Sequence, residues 1–189
     1  MSLSKRYLFI ALQPLEKGEI ERLCRLCHGD FLRFESLFKA SFSAAASAYI
    51  PVSRFLEEYG KSKGRISCLI SPFQDELSEK LLGEAASYFP NRACFPTDVL
   101  MKEISFFDYS SFQLLRRYFI HVDPELLLTA GSYLRNGCNA LLAAEELYIH
   151  RNTFNYRLAQ FRRQSGLDIR DYHNALLLEL YFQLSAAPR

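Results

Sequence analysis

The stretch ELYIHRNTFNYRLAQFRRQSG, residues 146–166, holds four arginines and no acidic residue between His150 and Ser165. Phe154, Leu158 and Phe161 recur at i, i+4 and i+7, the spacing of one helical face. Upstream, Asn139 can cap the run ALLAAEELY, and Leu147 and Ile149 bracket the turn that follows. A helix, a short turn and a longer basic helix make the layout of a helix-turn-helix over residues 139–165. Ala143 and Ala144 supply the small side chains that let two helices approach closely.

At about 100° per residue, Asn152, Tyr156 and Arg163 fall roughly opposite Phe154, with Thr153, Asn155 and Gln160 on the flanks. In such a motif the N-terminal part of the second helix reaches base edges in the major groove. Arg151, Asn152, Asn155 and Tyr156 occupy that part. Arginine pairs bidentately with guanine and asparagine with adenine, while the positive helix end attracts a phosphate. Arg162 and Arg163 lie further along and suit the sugar–phosphate backbone. The anion that fits this helix is DNA. The competing expectation is a helical module that binds protein, since a basic face is often only a solvated one.

The net charge of the 189-residue chain is only +2, so no global attraction to nucleic acid follows. Residues 121–189 balance seven arginines against seven acids, which makes the basic character local to the helix at 151–165. No apolar run reaches the ~18 residues of a membrane span, and YLFIAL is too short for a signal-peptide core. The expected location is cytoplasmic. Five scattered cysteines without an export signal read as free thiols. CRLCH, Cys24 to His28, has the spacing of a haem attachment site, but Ile20, Leu23, Cys24 and Cys27 share one helical face and read as core, with Gly29 ending the helix.

Residues 1–120 read as an α+β region with strands near 6–12, 31–38 and 65–70. KASFSAAASAYI is ambiguous between strand and helix, Pro51 should break it, and VSRFLEEYG should form a short helix closed by Gly60. Ser71, Pro72 and Gln74 suggest a capping box opening a helix whose inner stripe is Phe73, Leu77, Leu81 and Ala85. Further helices are expected at 98–104 and 110–120. From Asp123 onward only helices are expected, ending in YHNALLLELYFQL, which Asp171 caps and which is apolar almost all round. That helix needs cover from the fold or from a second copy.

IHRNT, Tyr156 to Leu158 and the Gly166–Asp168 turn, together with SYLRNGCN upstream, resemble the C-terminal DNA-binding domain of the PucR/CdaR family of bacterial transcription regulators. The turn and recognition helix are also similar to the Fis-type helix-turn-helix. The resemblance spans residues 124–184 and implies an all-α helix-turn-helix domain in 121–189 that binds double-stranded DNA. It places His150, Arg151, Asn152, Thr153, Tyr156 and Arg157 on the family signature. Leu141 and Ala143 depart from the Ser or Thr usual near those positions, which motivates the protein-binding alternative. Family members often carry a degenerate GGDEF-like or other sensory segment ahead of this domain, and ISFFDYSSFQLLRRYF resembles the end of one. No Gly-Gly-Asp-Glu-Phe run, Gly-rich phosphate loop, zinc pattern or nucleophile with its base is present, so neither enzyme activity nor a cofactor is expected. The front region is then a scaffold, a dimerisation unit or a sensor of a small-molecule effector. A homodimer reading two half-sites is expected.

Overall fold

The computed structural model describes residues 4–73 and 75–186, and the chain divides into two compact units at Asp108/Tyr109. In the first unit the order is β1 (Ser4–Ala11), α1 (Lys17–Leu26), β2 (Asp30–Phe34), β3 (Lys39–Ala45), α2 (Tyr49–Ser62), β4 (Ile66–Ser71), α3 (Glu76–Tyr88), β5 (Ala93–Cys94) and α4 (Pro96–Ser105). The described strands form one sheet in the order β2-β3-β1-β4-β5. All pairs are antiparallel except β4–β5. The first four strands and two helices therefore make a split βαβ arrangement, βαββαβ.

Period-2 alternation decides what each face buries. Tyr7, Phe9 and Ala11 of β1 and Ala40, Phe42 and Ala44 of β3 turn to one side, where they meet Ile20, Leu23, Val52 and Leu56 of α1 and α2. Phe42 stacks on Tyr7 and Phe9, with ring centroids 5.5 and 5.4 Å apart. On the other side α3 packs over β4 and β1 with Leu77, Leu81 and Ala85 buried. Cys24 and Cys27 lie in the first of these cores, where burial raises the Cys24 thiol and pushes Cys27 up to about 11. A thiol so protonated suits packing and not ligation. His28, not Gly29, adopts the left-handed conformation after α1, while Gly29 sits tight against Cys24 and Phe42.

Several expectations change. The ambiguous segment is both things in turn: KASFSAA is β3, a single 3₁₀ turn follows at Ala46–Ala48, and Tyr49 opens α2. Pro51 does not break the helix, because it falls in the first turn, where no intrahelical N–H is required. The helix expected from Ser71 begins instead at Glu76, capped by Asp75 through the N–H groups of Leu77 and Ser78. Ser71 belongs to β4, and its Oγ is engaged by Ser78 and the Phe73 N–H. Gln74, the other half of the expected capping box, lies outside the described residues. The expected helix at 98–104 starts earlier, at Pro96, with Asp98 accepting from the Phe95 N–H.

The second unit is all helix: α5 (Ser110–Phe119), α6 (Pro124–Arg135), α7 (Ala140–Glu146), α8 (Arg151–Ser165) and α9 (Tyr172–Ala186). Helix α5, which the sequence reading placed ahead of the helical domain, packs with α9, where Phe119 and Tyr181 have ring centroids 4.4 Å apart. Asp123 and Pro124 open α6, Asn139 caps α7, and Asp171 accepts from the N–H groups of His173 and Asn174 at the start of α9. Among the described residues, no helix is long and apolar enough to cross a membrane.

Gly60 does not close a helix but stands inside α2, and its reason is an approach from Asn91. A Cβ at Gly60 would lie 2.3 Å from the Asn91 Cγ. Asn91 cannot readily move, since its Oδ1 accepts from the Ile66 N–H at 3.0 Å and its own N–H donates to the Ile66 carbonyl. Gly60→Ala should therefore lower stability by about 1–2 kcal/mol, against the ~1 kcal/mol that alanine gains over glycine in an open helix. Denaturant unfolding checks this, and a stabilised variant would mean that Asn91 swings aside.

Candidate nucleic-acid interface

The second unit builds its helix-turn-helix from the end of α6 onward. Asn136 ends α6, Gly137 and Cys138 take left-handed backbone, and Asn139 receives the N–H groups of Leu141 and Leu142 to start α7. Ala143 and Ala144 are fully covered, so α7 lies close on α8. The buried Ser132 hydroxyl shares its one proton between the Ala143 carbonyl and the Glu146 carboxylate and ties α6 to α7. Glu146, at the end of α7, accepts from Arg135 at 2.6 Å, from Ser132 and from Asn136. These partners, Arg135 foremost, hold its carboxyl below the usual carboxylate range.

The turn runs through Leu147, Tyr148 and Ile149. Tyr148 has a positive φ and is 96% exposed, in a turn that often holds glycine. His150 is the N-cap of α8: its Nδ1 accepts from the Asn152 N–H at 3.2 Å. The Tyr133 ring meets Phe154, and Phe154, Leu158 and Phe161 are the buried stripe of α8. Gly166 closes the helix in left-handed conformation. Asp168 is buried beyond it and organises the exit: its Oδ1 accepts from the Arg170 N–H, its Oδ2 pairs with Arg162, and its carbonyl accepts from Asn174.

All nine candidate residues thus stand on α8 or at its cap. Arg151, Asn152, Thr153, Asn155, Tyr156, Arg162 and Arg163 are exposed, as is His150, and Arg157 is half-buried. The four arginines separate into two kinds. Arg157 bonds Glu125 of α6 at 2.6 Å, and Arg162 pairs with Asp168 at 3.2 Å. Arg151 and Arg163 have no carboxylate within ion-pair distance among the described residues. The sequence reading did not single out Glu146 with its three donors, Asp168 as the organiser of the exit loop, or Arg170. The signal for the first was present in SYLRN, where Ser132, Arg135 and Asn136 follow at helical spacing. Among the described residues, no cluster of three or more His, Cys, Asp or Glu could hold a metal ion.

The lowered Glu146 carboxyl makes a prediction about acid. A group whose folded value is depressed stabilises the fold above its unfolded value and loses that contribution as pH falls through the folded one. For Glu146 the loss begins below the ordinary value of about 4.3. Glu146→Gln should be less stable than the parent chain at neutral pH, and the gap should narrow as pH drops below about 4.3. Urea unfolding across that range tests it, and a gap independent of pH removes the carboxylate from the account.

With this geometry in place, the chain can be set beside known proteins. Residues 126–184 match the family described as the PucR C-terminal helix-turn-helix domain. The chain is 42% identical over 60 residues to the Proline-responsive transcriptional activator PutR of Bacillus subtilis, which is 32% of this chain and 15% of that protein. It is 36% identical over 56 residues to the Carbohydrate diacid regulator of Escherichia coli, 30% of this chain and 14% of that one. The chain therefore covers less than a fifth of the length of these curated relatives. A solved structure titled Regulator of Polyketide Synthase Expression from Bifidobacterium adolescentis aligns with 97% of this chain and 81% of its own at a TM-score of 0.48 and 17% identity. The chain carries, in residues 126–184, the C-terminal helix-turn-helix domain of the PucR/CdaR family of transcriptional regulators.

Proposed function

We propose that the chain is a non-enzymatic, cytoplasmic, sequence-specific regulator that reads the DNA major groove with α8. The observation that carries this is the division of that helix. Phe154, Leu158 and Phe161 are spent on the core, and Asn152, Tyr156 and Arg163 stand exposed on the far side. Arg151 and Asn152 sit at the positive helix end, the part that enters the groove in this motif. Arg163 and Arg162 lie toward the phosphates, and Thr153 and Asn155 flank the reading face. Arg157, paired with Glu125, acts by bracing α8 on α6. His150 acts through the cap it provides. A protein-binding role for the domain draws support from Leu141 and Leu142, half-exposed apolar side chains on α7 where a polar group would meet a phosphate.

The first unit serves as a scaffold, dimerisation or effector-sensing region, in line with a degenerate GGDEF-like segment that has lost the motif for synthesis. For a small-molecule effector, the groove between α1 and α2 offers about 530 Å³, lined by Leu26, Ile50 and Phe55 and by two arginines, Arg22 and Arg54, and two acids, Glu19 and Glu58.

Selection from a random-site library tests the reading. Asn152→Ala should relax base preference at one position at a cost of about 1–3 kcal/mol, with helicity unchanged. An unaltered selected site would sink the assignment of Asn152, and no selection by the parent chain would sink sequence-specific reading altogether. Arg163→Ala should weaken binding to all sequences alike.

The protein should also act as a homodimer. Helix α9 is apolar almost all round, yet only Leu177 and Leu178 are buried, while Leu176, Leu180, Tyr181 and Leu184 are half-covered. A second copy is the economical cover, because dimers gain specificity by reading two half-sites. Sedimentation of the intact chain with and without operator DNA should show a dimer in at least one state. A monomer in both, with a single half-site footprint, would end the idea.

A further inference from the structure

Asn152, Tyr156, Ala159 and Arg163 follow one another at steps of four, three and four residues, and so form a single stripe along α8. The stripe does not simply end. Ala159 and Arg163 line a cavity of about 420 Å³ at the C-terminal end of the helix. Leu158, Leu167 and Ile169, all buried, give it an apolar floor, and Arg162, Arg163 and Arg170 surround its mouth. Its one acid, Asp168, is already engaged on both oxygens, by Arg162 and by the Arg170 N–H. Arg163 and Arg170 are exposed and have no ion pair among the described residues. The mouth is therefore net positive over an apolar base.

The wall is also built to stay in place. Tyr118 donates to the Ser165 carbonyl at 2.5 Å, the Ser165 hydroxyl accepts from the Leu167 N–H, and Asn174 holds the Asp168 carbonyl. Arg170 thus leaves a fixed loop. A ligand matched to this cleft carries an anion on a small apolar body. The deoxyribose–phosphate unit has that form, and the distance agrees. From Asn152 to Arg163 the helix rises about 16 Å, more than the ~12 Å width of the major groove. With Asn152 at base edges, the other end meets the ridge of the groove.

We infer that the cleft is a backbone clamp: it seats one sugar–phosphate unit of the duplex, with Arg163 and Arg170 on the phosphate and Leu158, Leu167 and Ile169 beneath the sugar. This rests on the DNA-binding reading of α8 and adds Arg170, outside the helix, to the contact surface.

The test is the salt dependence of binding of the full chain to a labelled random-sequence duplex, compared with Arg170→Ala and Arg170→Lys. Loss of one phosphate contact should reduce the slope of log affinity against log salt by about 0.9. The advantage of the parent chain over Arg170→Ala should accordingly shrink about 3.5-fold between roughly 50 and 200 mM salt. Arg170→Lys should restore most of the slope, because a phosphate needs the charge more than the fork. Thermal melting of Arg170→Ala should match the parent chain, since the side chain is exposed. A parent chain that binds DNA while Arg170→Ala keeps the full slope would overturn the clamp and leave the reading of α8 standing. A parent chain that binds no duplex would remove both. Loss of affinity for a Glu-Glu-Phe-Glu-Glu peptide on Arg170→Ala, with the DNA slope unchanged, would assign the cleft to an acidic protein segment and overturn the inference.

Discussion

Helix α8 has one narrow apolar stripe, and the second unit depends on how that stripe is used. Phe154, Leu158 and Phe161 are its inward-facing side chains, and all are covered. No second apolar face competes, so the rotation of the helix about its axis has one solution. Everything polar on α8 then takes its direction from the same three contacts. The small Ala143 and Ala144 let α7 approach, and Ser132 and Glu146 lock that approach to α6. Packing and presentation are one constraint here, read from opposite sides of a cylinder.

Charge is distributed with similar economy. Of the arginines on α8, Arg157 and Arg162 face carboxylates that the domain itself supplies, and Arg151 and Arg163 do not. Each pair joins a largely covered group to an open one, Arg157 to Glu125 and Asp168 to Arg162, and so restrains the side chain of an α8 arginine. The signature residues acquire distinct roles in this light. His150 closes a helix end, Asn136 and Asn139 end one helix and begin the next, and Asp168 holds the exit loop.

The helical unit was legible in the sequence because its signals are local and agree with each other. The 3.6 period of Phe154, Leu158 and Phe161, the cap at Asn139 and the glycine at 166 all mark the same boundaries. Strands β1 and β4 were legible as apolar runs, since β4 is buried on both faces. The alanine-rich stretch after Lys39 was not, because alanine fits strand and helix and only tertiary pairing with β1 decides. Ser71 misled for a related reason: a hydroxyl before a proline resembles a helix cap, but here it is buried at the end of a strand. The partners of Arg157 and Arg162 were invisible, since Glu125 and Asp168 come from other segments and approach only through the fold. Arg170 escaped notice because it lies past the helix whose surface it extends.

Among the described residues, six other than glycine take left-handed backbone: His28, Phe31, Asn91, Phe107, Cys138 and Tyr148. Apart from Asn91, whose short amide tolerates that region, each gives up about 1 kcal/mol or more relative to a residue free of that clash. Summed over such positions, this is comparable in size to the entire margin by which a small domain stays folded. The chain is therefore far from its own optimum and has latent headroom for thermostabilisation at these positions. Phe31, Phe107 and Tyr148 are more than three-quarters exposed as well, so changes there disturb no packing. An engineer seeking a hardier version of this protein would begin at these exposed left-handed positions and leave both cores alone.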